Sequence, residues 1–151
     1  MGYRSDVRIV TSKKGFEELQ KYVKGFLGDN NDYNLLKSTD VLFEGKNGVL
    51  MGWNNIKWYD DCDFKEIDAI ENGMKHLSEK DFGYRFARIG ENYDDYEEKS
   101  NDPENEEYLP FPSMTREFDD GYVQGELDYD VGEEIEKGVE VWNIITKQKM
   151  I

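Results

Sequence analysis

Apolar and polar residues recur with two different periods along the first 90 residues of the chain. Residues 7–11 form a short run rich in β-branched side chains, which predicts a first strand. The next apolar residues recur three or four places apart, as on one face of a helix: Phe16, Leu19, Val23 and Phe26. This spacing predicts a helix over 13–27, with Ser12 as its N-cap and Gly28 at its end.

A hairpin pattern follows. Residues 39–44 and 49–53 flank Gly-Lys-Asn-Gly at 45–48, and Asn-Gly predicts a type I′ turn because both central residues then need positive φ. Asn54 and Asn55 predict a bulge or tight turn before the extended segment 56–59.

The same two periods recur once more. Asp63, with Glu66 three residues later, predicts the N-terminus of a second helix over 64–79. Its predicted buried face is Ile67, Ile70, Met74 and Leu77. Gly73 weakens this helix by about 1 kcal/mol relative to Ala. Alternating residues over 82–89 then predict another strand.

The predicted order is strand, helix, strand, strand, helix, strand. This order indicates an α+β chain with a ferredoxin-like split βαβ core over 1–90, an antiparallel sheet with two helices on one face. At 151 residues, we expect the whole chain to form a single domain.

The rest of the chain is acidic. Residues 91–108 have no hydrophobic period and predict a solvated loop. In 109–151 we expect an acidic β extension: an edge strand within 117–137 that places Glu126, Asp128 and Asp130 on one face, and a last strand over 139–145.

The formal charge of −15 is concentrated in residues 91–137, where eighteen acids face three bases and the other residues balance. A segment of this kind either binds a cationic partner or is a solvated face that keeps the protein soluble. The charge equals that of about 7–8 base pairs of DNA, so the segment could occupy a nucleic-acid-binding groove. The candidate partner-binding residues are Glu91, Asp94, Asp95, Glu97, Glu98, Glu117, Asp119, Asp120, Glu126, Asp128, Asp130, Glu133 and Glu134.

The same charge argues against direct binding of nucleic acid or anionic lipid. No apolar run approaches a membrane span, and no apolar signal region opens the chain. With Cys62 as the single cysteine, we expect a cytoplasmic protein; the sequence does not decide whether it forms a homodimer.

Enzyme signatures are missing from the sequence: it has one His, one Cys, and no nucleophile elbow or phosphate-binding loop. Asp60-Asp61-Cys62-Asp63 and Asp128-Tyr129-Asp130 offer closely spaced oxygens. The second segment fails the calcium-loop spacing, because Glu133 stands at position six where Gly is needed. In the first, Asp63 is already expected to cap a helix, and Cys62 and His76 alone cannot make a zinc site. His76 is expected at the surface of the second helix. We predict a non-enzymatic protein with no cofactor and no metal.

An aromatic cluster offers a different site. Trp53, Trp58 and Tyr59 are either core residues or a patch that receives a nucleotide or an arginine. The second reading predicts a protein that sequesters a nucleotide signal, with Lys57, Arg85 and Arg88 as the positive groups.

Three segments resemble a group of small bacteriophage and prophage proteins: MGYRSDV at 1–7, GWNNIKWYD at 52–60 and YRFARIGENYDD at 84–95. The resemblance covers about residues 1–97 and brings no catalytic residue with it. By analogy, small acidic phage proteins include inhibitors of bacterial defence, among them anti-CRISPR proteins whose acidic surfaces occupy the nucleic-acid channel of a Cas effector. The resemblance therefore implies a basic, nucleic-acid-binding host protein as the partner, with a CRISPR effector as the leading candidate. A phage accessory protein without a defence role is a further reading of the same resemblance.

Overall fold

The structure is a computed structural model that describes residues 3–58, 65–92, 94–103, 109–112 and 118–129. Five strands form one sheet: β1 Ser5–Thr11, β2 Val41–Glu44, β3 Val49–Ile56, β4 Tyr84–Gly90 and β5 Tyr96–Asn101. The helices are α1 Lys13–Leu27, α2 Lys65–Glu79 and α3 Asp120–Asp128, with 3₁₀ turns at Gly28–Tyr33 and Leu35–Lys37. The strand predicted over 139–145 and the residues Tyr59, Asp63, Glu117, Asp130, Glu133 and Glu134 lie outside the described residues.

The α+β prediction is confirmed. The strand order is β2-β3-β1-β4-β5, and every pairing is antiparallel. The strand order β2-β3-β1-β4, with α1 following β1 and α2 following β3 in the chain, reproduces the ferredoxin-like arrangement. β1 lies at the centre of the sheet, and six of its seven residues are buried.

Helix α1 has the predicted bounds and caps. The Ser12 hydroxyl accepts a hydrogen bond from the Gly15 N–H, and Gly28 adopts a φ of 54°. The prediction that Phe26 is buried is wrong, since 46% of it is exposed, whereas Leu27 is buried. The Phe26 ring stacks on Tyr22 instead, with ring centroids 6.1 Å apart.

Helix α2 buries the four predicted apolar residues and packs against α1. Gly73 has a packing role that its helix propensity does not reveal. A Cβ at this position would lie 2.5 Å from Leu19 Cδ1, so the glycine permits the close approach of the two helices.

Each face of the sheet carries its own apolar cluster. On one face, which we call the helix face, α1 and α2 cover the strand side chains that point the same way as Val7, Ile9 and Phe86. On the opposite face, which we call the α3 face, Val10 and Leu50 pack against residues from beyond the predicted core: Leu109, Val123 and Leu127. The acidic part of the chain therefore contributes a second hydrophobic layer.

The predicted hairpin is confirmed, but the predicted turn type is wrong. Among the described residues, positive φ occurs at Asn55, Asp81 and Gly28, and not at Asn47 or Gly48. The loop at 45–48 is shaped by contact with α3 instead, because the Asn47 N–H donates to the carbonyl of Leu127.

The predicted bulge in β3 is confirmed. Asn55 has a φ of 54°, and the pairing register between β1 and β3 shifts between Ser5 and Val7. The Asn55 N–H donates to the Asp6 carboxylate across this irregularity.

Two predictions for the acidic stretch are wrong. The solvated loop over 91–108 contains strand β5, which pairs along β4 and is held by ion pairs rather than by an apolar face. The acidic edge strand of the predicted β extension is helix α3 over Asp120–Asp128, so Glu126 and Asp128 do not share a strand face. Val123 and Leu127 are four residues apart, which on a helix places both against the sheet.

Candidate functional site

Two buried arginines on the α3 face hold the acidic stretch against the sheet. Arg8, on β1, is 4% exposed. Its Nε and one terminal nitrogen donate to the two carboxylate oxygens of Asp120 at 2.9 and 3.2 Å, and the Phe118 ring lies 4.8 Å from the guanidinium carbon. Gly52 leaves the space for this side chain, because a Cβ there would lie 2.4 Å from Arg8 Cδ.

Arg85, on β4, repeats this arrangement. It is 8% exposed and donates to the Asp102 carboxylate at 2.6 Å and to the carbonyl of Leu109 at 3.1 Å. The Phe111 ring lies 4.4 Å from its guanidinium carbon. Each arginine is thus enclosed by one carboxylate and one phenylalanine from beyond residue 100, a combination of charge-assisted and cation–π contacts.

A third arginine joins the N-terminal segment to the turn between β4 and β5. Arg88 donates to both oxygens of Asp95, at 2.8 and 3.2 Å, and Tyr3 donates its hydroxyl to the same carboxylate at 2.5 Å. The hydrogen bonds from Arg88, and then from Tyr3, lower the pKa of Asp95. Burial, together with the bond to Asp95, raises the pKa of Tyr3.

Strand β5 adds two further ion-paired residues on the helix face. Glu97 accepts from Arg88 at 3.3 Å, and Lys99 Nζ lies 2.7 Å from Glu71 Oε2 and 3.7 Å from Glu97 Oε2. Lys99 also lies 5.0 Å from the centroid of the Phe86 ring. Of the predicted partner-binding residues, Asp95, Glu97 and Asp120 are therefore used inside the molecule.

Six of the predicted partner-binding acids make no ion pair with another described residue: Glu91, Asp94, Glu98, Asp119, Glu126 and Asp128. Glu126 is half-buried and the other five are exposed. Two also have local structural roles, since Asp119 caps α3 by accepting from the Tyr122 N–H and Asp128 accepts from the Lys46 N–H.

The sheet register and the packing of α3 place three of these six acids on one side of the molecule. Glu98 is opposite Ala87, which is opposite Arg8, so Glu98 projects from the α3 face two strands away from Arg8. Neighbouring strands are about 4.8 Å apart, which puts Glu98 about 10 Å across the sheet from the strand that Asp120 contacts. Exposed Asp119 and Asp128 lie at the two ends of α3 on this same side. We call Glu98, Asp119 and Asp128 the free carboxylates, in the sense that they are exposed and make no ion pair with another described residue.

The predicted aromatic patch is not a surface patch. Trp53 and Trp58 are 2% and 6% exposed, and their ring centroids are 5.6 Å apart. Each indole N–H is satisfied, by the carbonyl of Leu35 at 2.9 Å and by Glu71 Oε1 at 2.8 Å. These tryptophans are core residues, and Tyr59 lies outside the described residues.

The three basic residues predicted to serve a nucleotide do not meet. Arg85 points to the α3 face, and Arg88 is engaged by Asp95 and Glu97. Lys57 lines a cavity of about 470 Å³ between the end of β3, the turn at Leu35–Lys37 and the start of α2, with Trp53 in its wall. Arg4 also lines this cavity and donates to the carbonyl of Asn55 at 2.9 Å.

His76 lies between the two helices that cover the sheet. Its Nε2 is 3.0 Å from Glu18 Oε1, and its ring stacks on Tyr22 with a centroid distance of 4.7 Å. The hydrogen bond to His76 lowers the pKa of Glu18. Among the described residues, no group of three or more His, Cys, Asp and Glu side chains is placed to hold a metal ion. None of the helices in the described ranges has both the length and the apolar character needed to cross a membrane.

The chain matches no protein-family model, no curated protein and no solved structure in the comparisons made.

Sequence reasoning missed the buried Arg8, and it assigned Arg85 to a nucleotide instead of to the acidic stretch. The sequence did carry a signal that Arg8 and Arg85 are buried. Each interrupts an apolar strand, at a position whose side chain points away from the face covered by α1 and α2. A buried guanidinium needs a carboxylate partner, and the acidic stretch is where the chain has carboxylates in excess.

Proposed function

We propose that this protein is a non-enzymatic inhibitor encoded by a bacteriophage, and that it acts in the host cytoplasm against a defence system. Its α3 face occupies a basic groove of a nucleic-acid-handling protein, and a Cas effector is the leading target. The free carboxylates take the places of phosphates and pair with lysines and arginines of that groove.

One observation supports the proposal above the others: carboxylates remain exposed beside acids that are already neutralised by Arg8 and Arg85. Asp120 holds α3 on the sheet through Arg8, and Arg85 holds residues 109–112 through the carbonyl of Leu109, so the remaining carboxylates lie on a packed scaffold. Charges held in place lose less side-chain and backbone freedom on binding, and opposite charges at the rim of an interface accelerate association. The phage-like sequence segments support the source of the protein.

The test is a charge-neutralising triple variant, Glu98→Gln, Asp119→Asn and Asp128→Asn. Its matched control is Asp29→Asn, Asp32→Asn and Glu79→Gln, which removes the same charge from exposed sites outside the acidic stretch. Binding of target DNA by a purified guide-loaded Cas effector, measured by mobility shift across increasing inhibitor concentrations, reports inhibition.

We expect the first variant to raise the concentration needed for half-inhibition roughly tenfold, from the loss of three exposed ion pairs of about 0.5 kcal/mol each. The control should leave it within about twofold. Equal effects of the two variants would contradict the proposed face, and absence of inhibition by the unmodified protein across effectors of different types would contradict the proposed target class.

A further inference from the structure

The cavity at the end of β3 is a second candidate site, separate from the α3 face. Its volume of about 470 Å³ lies within the range of small-molecule sites in proteins. Its apolar lining residues are Leu35, Trp53, Ile56 and Ile67.

The polar groups at the cavity are of two kinds. Arg4 and Lys57 supply positive charge, and Lys57 makes no ion pair with another described residue. Asp40 and Glu66 supply carboxylate oxygens. One Asp40 oxygen accepts from the Asn54 N–H at 2.7 Å, which fixes that carboxylate at the cavity wall.

The backbone at the cavity is fixed by two hydrogen bonds. Asn55, a lining residue, has a φ of 54° at the β3 bulge, where its N–H donates to Asp6 and its carbonyl accepts from Arg4. Asparagine tolerates this left-handed conformation, and the two bonds hold it in place at the cavity wall.

From this combination we infer that the cavity binds a small organic anion of the mononucleotide class. Arg4 and Lys57 receive its phosphate, the apolar wall receives its ring, and Asp40 or Glu66 accepts hydrogen bonds from exocyclic N–H groups. Trp53 forms part of the wall and does not stack on the ligand, since 2% of it is exposed. The inference is independent of the proposed inhibitor function, because none of these residues belongs to the acidic stretch.

The test is isothermal titration calorimetry of the full chain with adenosine monophosphate. Separate titrations with adenosine and with inorganic phosphate distinguish recognition of the ring from recognition of the anion. The variants are Lys57→Gln and Arg4→Gln, both at half-buried side chains, and the matched control is Lys75→Gln on the exposed side of α2. Amide chemical shifts of Asn54, Asn55 and Ile56 locate the binding.

We expect one site for adenosine monophosphate and weaker binding of both fragments. Loss of a charge-assisted hydrogen bond should weaken binding about tenfold in Lys57→Gln and Arg4→Gln, and Lys75→Gln should leave it unchanged. No binding at millimolar nucleotide, binding of adenosine as tight as that of the monophosphate, or equal weakening by Lys75→Gln would each overturn the inference. If Arg4→Gln does not fold, Lys57→Gln alone decides it.

Discussion

Replacement of Asp120 by Asn should destabilise the protein by about 2 kcal/mol, and the reason lies in Arg8. The Arg8 side chain is 5% exposed and Asp120 is its carboxylate partner, in contact through two nitrogens. Removing one member of a buried ion pair costs about 3–5 kcal/mol, and one hydrogen bond to a charged group contributes roughly 1.5–3 kcal/mol. Because 27% of the Asp120 side chain is exposed, water can partly replace the carboxylate as the partner of Arg8 after the substitution, and the cost should lie near the lower end of these ranges.

The neighbouring residue supplies the control. Asp119→Asn removes the same charge at the same end of α3, but Asn caps a helix as well as Asp does, so the change should stay within about 0.5 kcal/mol. Urea unfolding followed by circular dichroism measures both. With a slope of about 1–3 kcal/mol per molar urea, the midpoint of Asp120→Asn should fall by about 1 M. If the two variants unfold at the same urea concentration, the pairing of Arg8 with Asp120 does not hold α3 on the sheet.

Two further predictions follow from close contacts around the arginines. Gly52→Ala places a Cβ 2.4 Å from Arg8 Cδ and should lower the melting temperature by several degrees. The control Gly25→Ala, where a Cβ would meet no atom within 4 Å, should raise or preserve the melting temperature. A lower melting temperature for Gly25→Ala than for Gly52→Ala would contradict the packing of Arg8. Hydrogen bonds from Arg88, and then from Tyr3, lower the pKa of Asp95 in the folded protein. The ionised carboxylate therefore stabilises the fold at pH values above the unfolded-state pKa of about 3.9, and this stabilisation is lost as the pH falls through the folded-state pKa. Asp95→Asn should therefore be less stable than the unmodified protein at pH 7, with the difference shrinking toward pH 2.5; a difference that does not change with pH would refute the assignment.

The core could be predicted from the sequence because its signals are local. The i, i+3 and i+7 spacing in α1 and α2, the Ser12 cap and the Asn-Gly hairpin each depend on residues close together in the chain. Their order then leaves few topologies, and the ferredoxin-like one is observed.

The acidic stretch could not be predicted in the same way. Strand β5 has no apolar alternation, because its stability comes from pairing with β4 and from the ion pair between Glu97 and Arg88. In α3, Val123 and Leu127 fit one face of a helix, but Val123, Leu127 and Tyr129 also fit one parity of a strand, and the tertiary contact with Leu50 decides between them. An excess of charge likewise does not reveal which acids are paired; that follows only once Arg8 and Arg85 are seen on the same sheet face.

The division between paired and free carboxylates is tested most directly by the structure of the protein bound to its target. We predict that Glu98, Asp119 and Asp128 lie within about 4 Å of lysine or arginine nitrogens of the partner, while Asp102 and Asp120 keep their bonds to Arg85 and Arg8. A complex in which the free carboxylates face solvent and another surface makes the contacts would contradict this account.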